Sequence, residues 1–251
     1  MEVVEILVLA HRGYSHIYPE NTMLAFRKAL EAGADGIETD VQVTKDGVLV
    51  LIHDEDVSRV SDGKGMIRDL TYEELQKFDF GIKKGLQFSG ERIPTLQELL
   101  DLVRDKDILL NIEIKYGSFL YEGIEEKTYR MVKKNGLMDK VIFSSFNHYS
   151  CHDLKEIDRD CRTGILYTDG IYKPYKYAEE LPADAIHPYR LLVNKQIVDA
   201  CHRRNIKVNV WTVDDFKEAK MLMDMGVDCI MTNKPKEMME FLGVGKHGEK
   251  A

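Results

Sequence analysis

The sequence predicts an α/β fold in which eight parallel strands close into a (β/α)8 barrel, the TIM-barrel architecture. Short β-branched runs alternate with amphipathic segments along the 251 residues, and this alternation indicates a parallel sheet covered by helices. Nine runs can be assigned as strands, but the turn at Asp46-Gly47 joins two of them with no helix between, which is typical of a β-hairpin. One strand is therefore antiparallel, and the remaining eight are the number that closes a barrel.

The predicted strands are short runs rich in β-branched residues. In chain order the predicted strands are Ile6–Ala10, Gly36–Val43, Val48–Ile52, Ile108–Ile114, Val141–Ser145, Thr163–Tyr167, Ala185–His187, Lys207–Trp211 and Cys229–Thr232. The predicted helices are Thr22–Ala32, Leu96–Arg104, Glu122–Asn135, Tyr149–Ile157, Tyr175–Glu180, Lys195–Asn205, Asp214–Met225 and Pro235–Leu242. Apolar residues recur at helical spacing in these segments, so each helix can bury one face against the barrel.

The hairpin after the second strand predicts a specific pairing. With Asp46-Gly47 as a two-residue loop, Lys45 pairs with Val48, and Asp40 then lies opposite His53. Paired residues of an antiparallel ladder lie close enough to interact. The pattern therefore predicts Asp40 as the carboxylate that orients His53.

Alternation along the strands predicts which side chains point into the barrel. On the second strand Glu38 and Asp40 share one face, and Thr39 lies on the other. The inward set on other strands comprises Asn111, Glu113, Lys115, Asn209 and Trp211. In barrels of this type the chemistry lies at the carboxyl ends of the strands, here called the mouth. We expect these polar side chains to meet there and Thr39 to have no role.

Residues 54–94 do not continue the barrel alternation. The segment is rich in Gly, Lys and Asp and contains one helical piece, Tyr72–Lys77. We interpret about 54–95 as an insertion folded over the mouth of a single domain that spans residues 1–251. Gly243–Ala251 is predicted to be a polar, frayed tail.

Composition excludes several classes of function. The net charge of −8 and the pI near 5.6 argue against a nucleic-acid partner, because phosphate backbones require a basic face. The four cysteines form no CxxC pair and are expected to be reduced in a cytoplasmic protein. No window approaches the roughly 20 apolar residues of a membrane span, and the first ten residues carry acidic rather than basic charges, unlike a signal peptide.

Polar residues at the predicted mouth supply a specific chemistry. Converging carboxylates from Glu38, Asp40 and Glu113 would repel each other unless a cation lay between them, and all-oxygen ligands favour Mg²⁺ or Ca²⁺. A solvated acidic patch is the alternative. His11 and His53 can serve as an acid/base pair, because the pKa of histidine lies near neutral pH.

Further side chains at the same strand ends are candidates for binding substrate. Arg12 and Lys115 lie where they can bind phosphate oxygens, although surface ion pairs are the alternative. Trp211 is interpreted as a wall of the substrate pocket rather than a core filler. His187 is a weaker candidate for the pocket rim. The other histidines are expected on loops or helix surfaces.

Taken in order, several blocks of the chain resemble the glycerophosphodiester phosphodiesterase family, one of the phosphatidylinositol-phospholipase C-like TIM barrels. The matching blocks are His11-Arg12-Gly13, Pro19-Glu20-Asn21-Thr22, Gly36–Val41, Thr44–Gly47, His53-Asp54, Ile93–Leu96, Glu113–Lys115, Ser144–Phe146 and Trp211–Val213. They cover nearly the whole chain.

The resemblance implies a barrel enzyme that cleaves deacylated phospholipids to sn-glycerol 3-phosphate and an alcohol. It implies one divalent ion, Ca²⁺ or Mg²⁺, held by Glu38, Asp40 and Glu113, with His11 and His53 as acid and base. Glu20 and Asn21, within the second matching block, are assigned supporting roles. The expected partner is a small glycerophosphodiester, without nucleic acid or membrane insertion.

Two alternatives and several details stay open at this point. The same barrel chemistry suits a phospholipase-type diesterase that acts on lipid headgroups, although such enzymes are expected to expose apolar loops. A non-catalytic binder of phosphate esters is the other alternative, but it would need neither histidine. The native metal, the preferred alcohol, the division of acid and base between the histidines, the route through water or a cyclic phosphate, and a homo-oligomeric state are left undecided.

Overall fold

The computed structural model describes residues 6–244, and within them eight parallel strands form a closed barrel. The strands are β1 (Leu7–His11), β2 (Gly36–Val43), β3 (Leu49–Leu51), β4 (Leu109–Ile114), β5 (Val141–Ser145), β6 (Thr163–Tyr167), β7 (Ala185–Pro188), β8 (Lys207–Val210) and β9 (Cys229–Thr232). Parallel pairing continues from β2 through β4–β9 to β1, and β1 pairs with β2 to close the ring. The predicted (β/α)8 fold is confirmed, with β3 as the antiparallel strand.

Helices connect the strands and cover the outside of the barrel. They are α1 (Met23–Glu31), α2 (Tyr72–Leu75), α3 (Leu96–Val103), α4 (Ile124–Lys134), α5 (His148–Ile157), α6 (Pro174–Glu180), α7 (Lys195–His202), α8 (Phe216–Met225) and α9 (Pro235–Leu242). Their bounds follow the predicted ones closely, and side-chain caps fix several starts, such as Thr22 for α1 and Asp215 for α8. None of the helices described between residues 6 and 244 combines the length and hydropathy that a bilayer crossing requires.

Alternation along the strands separates an apolar outer layer from a polar interior at the mouth. Ile37 and Val41 of β2, with Ile112 of β4, pack in the apolar layer beneath the helices. Glu38, Asp40 and Gln42, on the opposite face of β2, are also almost fully buried. Burial of charged groups is costly unless they are paired or bind an ion. These buried carboxylates therefore indicate a functional site inside the mouth.

The hairpin differs from its prediction by one residue. Val43 pairs with Leu49 and Val41 with Leu51, because the turn is a three-residue loop in which Gly47 adopts a left-handed φ of 85°. Asp40 therefore lies opposite Ile52, whose backbone N–H donates to the Asp40 carbonyl at 3.0 Å. The predicted pairing of Asp40 with His53 is wrong, and His53 lies one residue beyond the ladder.

The segment between β3 and α3 folds against the mouth. It contains α2 and short 3₁₀ turns around a small apolar core that includes Val57, Ile67 and Leu75. Lys84 Nζ donates to the backbone carbonyls of Ser15 and His16, at 2.7 and 2.9 Å, in the loop after β1. This segment therefore supplies side chains to the same end of the barrel as the strand termini.

Candidate active site

Three buried carboxylates meet at the mouth. Parallel pairing places Asp40 of β2 beside Glu113 of β4, and Glu38 lies two residues before Asp40 on the same face. One oxygen from each carboxylate lies within 4.8 Å of the others, so the three, called here the acidic cluster, can hold a metal ion. Their exposed fractions are 3% for Glu38, 0% for Asp40 and 7% for Glu113. The strand register thus brings together the three carboxylates that the sequence singles out.

The electrostatics of the acidic cluster are uneven. Burial, with Asp40 and Glu113 nearby, raises the pKa of Glu38 well above its usual range. Burial also raises the pKa of Glu113, although Lys115 opposes the shift. Burial alone would raise the pKa of Asp40, but the charges of Arg12 and Lys115 lower it below its usual range. For Glu38 and Glu113, therefore, the positive charge nearby does not compensate for the burial of a carboxylate ion.

Arg12 and Lys115 flank the acidic cluster from the ends of β1 and β4. Lys115 Nζ lies 2.7 Å from Glu113 Oε1 and 3.7 Å from Asp40 Oδ1. Arg12 Nε lies 3.4 Å from Asp40 Oδ2, and its Nη1 donates to Glu20 Oε1 at 2.9 Å. Glu20 also accepts two hydrogen bonds of 2.8 Å from Arg59 of the insertion. Glu20 is thus a supporting residue that ties Arg12 to the insertion.

His11 is held by residues from the far end of the chain. Its Nδ1 lies 2.8 Å from Asn233 Oδ1, and Asn233 Nδ2 donates to Asp214 Oδ2 at 2.6 Å. Because Asn233 presents its oxygen to the ring, His11 Nδ1 carries the proton, and the lone pair of the neutral ring lies on Nε2. His11 Nε2 points toward the acidic cluster, 3.8 Å from Glu38 Oε2. Burial, followed by the charge of Arg12, lowers the pKa of His11 to about 4.

His53 is oriented by its neighbour in sequence. Its Nδ1 lies 2.6 Å from Asp54 Oδ1, and Asp54 also accepts a hydrogen bond from Arg59 Nε. The backbone after β3 is held by Gln42, whose Nε2 lies 2.9 Å from the carbonyl oxygens of both His53 and Asp54. The orienting carboxylate is therefore Asp54 rather than the predicted Asp40.

Asn21 and Thr39 support Asp40 through a buried chain of hydrogen bonds. Asn21 Nδ2 donates to Asp40 Oδ2 at 2.9 Å, and Thr39 Oγ1 donates to Asn21 Oδ1 at 2.8 Å. The supporting role expected of Asn21 fits this geometry. The expectation that Thr39 has no role is wrong, because its hydroxyl lies beside α1 and fixes the direction of the Asn21 amide.

We expect Thr39→Val to lower the free energy of unfolding by about 1–3 kcal/mol, because it leaves the buried Asn21 oxygen without a donor. Urea denaturation followed by circular dichroism measures this change. Thr128→Val is the matched control, since Thr128 is equally buried and its hydroxyl has no hydrogen-bond partner among the described residues. Equal losses in the two variants would contradict the role given to Thr39.

Trp211 directly follows β8 and is held by a hydrogen bond and by contacts with other aromatic rings. Its indole Nε1 donates to the His187 carbonyl at 2.8 Å, and its ring meets Phe146 edge-to-face with centroids 5.3 Å apart. His187 itself is fully buried and receives a 2.9 Å hydrogen bond from Asn209. Burial lowers its pKa to about 3. His187 is therefore a neutral interior residue, and the suggestion that it lines the pocket rim is wrong.

Several residues of the site were not predicted from the sequence. Asn233 and Asp214, which orient His11, come from the loops after β9 and β8, and Gln42 and Arg59 hold His53 and Glu20. A polar residue directly after a strand was an available signal for Asn233, as it was for His11. The spacing of Arg59 and Glu20 in the sequence does not predict their contact, because that contact depends on how the insertion folds.

A comparison with family models identifies the family of this chain. The model of the glycerophosphoryl diester phosphodiesterase family matches residues 11–237. The chain belongs to this family. The predicted resemblance is confirmed, and the matched range contains all the residues of the candidate active site.

Individual members of the glycerophosphoryl diester phosphodiesterase family are similar over almost their full length. The glycerophosphodiester phosphodiesterase of Caldanaerobacter subterraneus subsp. tengcongensis is 46% identical over 242 residues, which cover 96% of this chain and 100% of the relative. The corresponding protein of Bacillus altitudinis is 39% identical, with 91% of this chain and 94% of the relative covered. A phosphodiesterase of Oleispira antarctica, solved in complex with the product sn-glycerol-3-phosphate, superposes with a TM-score of 0.89 at 28% identity, covering 95% of this chain and 97% of its own.

Proposed function

We propose that this protein hydrolyses glycerophosphodiesters, the deacylated forms of phospholipids, to sn-glycerol 3-phosphate and an alcohol. The observation that carries the proposal is the convergence of the acidic cluster, two histidines and two cationic side chains at one barrel mouth. Phosphodiester cleavage needs a base for the nucleophile, an acid for the leaving oxygen and positive charge for the phosphate. Similarity to a phosphodiesterase solved with sn-glycerol-3-phosphate supports this substrate class.

A divalent ion, Ca²⁺ or Mg²⁺, fits the acidic cluster. Asp40 Oδ1 is buried and has no hydrogen-bond partner among the described residues, and burial raises the pKa of both Glu38 and Glu113. These are the properties of ligands whose counter-ion is a hard cation bound by oxygen. Glu38, Asp40 and Glu113 would hold the ion, which when bound supplies Lewis-acid charge neutralisation to the phosphate oxygens.

The two histidines differ in ways that suit different roles. His11 is neutral, donates through Nδ1 to Asn233 and directs the lone pair of Nε2 toward the acidic cluster, so we assign it as the general base. The Asp54 carboxylate, 2.6 Å from His53 Nδ1, orients the His53 ring, and because His11 is assigned as the base we assign His53 as the general acid. The base accepts a proton from the attacking nucleophile, which is water or a hydroxyl of the glycerol group. The acid protonates the departing alcohol oxygen.

Arg12, Lys115 and Trp211 complete the proposed substrate site. Arg12 and Lys115 are cations within 4 Å of the acidic cluster, placed to neutralise a phosphodiester anion next to the metal ligands. Trp211, fixed by its hydrogen bond to the His187 carbonyl, offers a ring face to the glycerol carbons. Glu20 and Asn21 hold Arg12 and Asp40 in position.

The proposal is tested by incubating the protein with glycerophosphocholine, glycerophosphoethanolamine and glycerophosphoglycerol, with and without a chelator. We expect sn-glycerol 3-phosphate to be released from these diesters only when divalent ions are present. Failure to cleave any glycerophosphodiester in the presence of Mg²⁺ or Ca²⁺ would refute the proposed function.

A lipid-headgroup diesterase is the second candidate, and one observation favours it. Large apolar side chains are exposed at the mouth, on the insertion and on the segments that follow β4 to β7. The most exposed are Leu86 at 81%, Phe119 at 76%, Tyr149 at 66%, Tyr172 at 84% and Leu191 at 66%. Side chains of this kind can contact a lipid surface, although the net charge of −8 is repelled by anionic membranes.

We expect little activity on diacylated lipids in vesicles compared with soluble diesters. An intact phospholipid must leave the bilayer or be drawn partly out of it before its phosphate reaches buried carboxylates, whereas glycerophosphocholine diffuses in freely. Initial rates on phosphatidylcholine vesicles and on glycerophosphocholine measure the difference. Comparable kcat/KM values on both substrates would favour the lipid-headgroup candidate instead.

We further propose that residues 1–251 form one domain with an insertion at about 54–95. We also propose a cytoplasmic location. All four cysteines, Cys151, Cys161, Cys201 and Cys229, are free and buried. Reduced cysteines of this kind are typical of proteins from reducing compartments.

A further inference from the structure

A cleft of about 760 Å³ opens directly from the acidic cluster. Glu113 and Lys115 are among its lining residues, so the cleft adjoins the proposed metal and phosphate site. Tyr116, Phe119 and Phe146 line one side, and Glu55 and Arg68 of the insertion also border it. We call it the headgroup cleft. The phosphate of a bound diester carries a glycerol arm and an alcohol arm. Trp211 is proposed to contact the glycerol arm, which leaves the alcohol arm without an assigned binding site.

The aromatic side of the headgroup cleft is suited to a cation. Lys115 Nζ lies 5.9 Å from the ring centroid of Tyr116 and 6.0 Å from that of Phe146, whereas Phe119 has no such cation contact among the described residues. Phe119 is 76% exposed and Tyr116 is 40% exposed, which leaves aromatic surface available to a ligand. Aromatic faces attract ammonium groups, including quaternary ones that cannot donate hydrogen bonds.

The loop that carries these aromatic residues is held rigidly. Tyr116 has a left-handed φ of 61°, and its carbonyl accepts a 3.1 Å hydrogen bond from Asn147 Nδ2. Two residues on, the Ser118 backbone N–H donates at 3.0 Å to the buried carboxylate of Glu125. A loop fixed in this way loses little conformational entropy when a ligand binds.

Glu55 places a carboxylate next to the aromatic side. Partial burial raises the pKa of Tyr116 and the charge of Lys115 opposes the shift, while the negative charge of Glu55 and its hydrogen bond with Tyr116 add to the shift. Arg68 Nη1 lies 4.0 Å from Glu55 Oε2, and the two side chains are 45% and 30% exposed. An exposed pair at this distance is weak, so Glu55 can interact with a cationic ligand.

We propose that the headgroup cleft binds the alcohol arm of the substrate and selects alcohols that carry an ammonium group, as in choline and ethanolamine. This inference rests on the proposed function. The ammonium lies against the ring faces of Tyr116 and Phe119 with Glu55 as its counter-charge, while the phosphate stays at the acidic cluster. A neutral alcohol of the same shape gains the apolar contacts but neither the cation–π attraction nor the ion pair.

The test compares glycerophosphocholine with the diester of 3,3-dimethylbutanol, in which carbon replaces the choline nitrogen. We expect kcat/KM to be about tenfold higher for the charged substrate, as one ammonium–aromatic contact with a nearby carboxylate supports. Glu55→Gln and Phe119→Ala should each lower this ratio at least about threefold. Arg68→Gln should raise it, because the substitution removes the cation that competes for Glu55.

Tyr172→Ala is the matched control, since Tyr172 is an exposed aromatic residue of another mouth loop, after β6. We expect this variant to keep the wild-type ratio. Equal kcat/KM values for the two substrates in the wild-type protein would overturn the inference while leaving the proposed function intact. A ratio that the Glu55 and Arg68 variants leave unchanged would also overturn it. Absence of hydrolysis of either diester would refute the proposed function itself, and the inference with it.

Discussion

Replacing His11 or His53 by alanine is expected to lower kcat at least about 100-fold on glycerophosphocholine, because each variant loses one partner of the proposed acid/base pair. Both rings are oriented toward the mouth by specific partners, Asn233 for His11 and Asp54 for His53. Steady-state kinetics at saturating substrate measure the loss. Circular dichroism and thermal unfolding show whether each variant keeps the fold.

His152→Ala is the matched control for the two histidine variants. His152 lies on α5, and its side chain is 51% exposed with only a 3.4 Å contact to Asp153. Its replacement should leave kcat within about twofold of wild type, as expected for a surface position away from the site. Near-wild-type turnover in His11→Ala or His53→Ala would remove that histidine from the mechanism.

Removal of divalent ions is expected to abolish activity, and Mg²⁺ or Ca²⁺ should restore it better than Zn²⁺ does. The ligand set of Glu38, Asp40 and Glu113 is all oxygen, which hard cations prefer. The same ions should raise the Tm of the wild-type protein, because a ligand that binds only the native state stabilises it. Asp40→Asn should lose both the activity and most of the metal-dependent rise in Tm.

A control variant separates the acidic cluster from other buried acids. Glu125 is 3% exposed, as buried as the cluster, but it accepts hydrogen bonds from Ser118 and Ser150 rather than facing other carboxylates. Glu125→Gln should therefore keep the metal-dependent shift in Tm, whatever its own stability. Full activity in metal-free wild-type protein would rule out the metal site.

The barrel and most of its inward-facing side chains could be predicted from the sequence because they depend on local pattern. Alternation along β2 and β4 determines that Glu38, Asp40 and Glu113 face inward, and parallel pairing brings strand ends to one edge. The hairpin register was missed because a left-handed Gly47 is compatible with two loop lengths, and one extra loop residue moved His53 past Asp40.

The contacts that orient the site were harder to predict. Thr39 lies on the outward face of its strand, where pattern alone predicts packing against a helix, yet its hydroxyl meets Asn21. Similarly, Asn233 lies 222 residues from His11 in sequence, and no periodicity connects residues so far apart. Such contacts depend on the closed three-dimensional path of the chain rather than on spacing within one element.

The hydrogen bond between His11 and Asn233 makes the orientation of His11 depend on closure of the barrel. The three carboxylates, both histidines and both cations lie within the first 115 residues, whereas the partners that fix His11 follow β8 and β9. Because β1 pairs with β9, His11 obtains its orientation only when the last strand docks beside the first. A chain that stops before β9 would carry the proposed metal ligands, both histidines and both cations and would still lack the partner that orients His11, so closure of the barrel by β9 completes the proposed site.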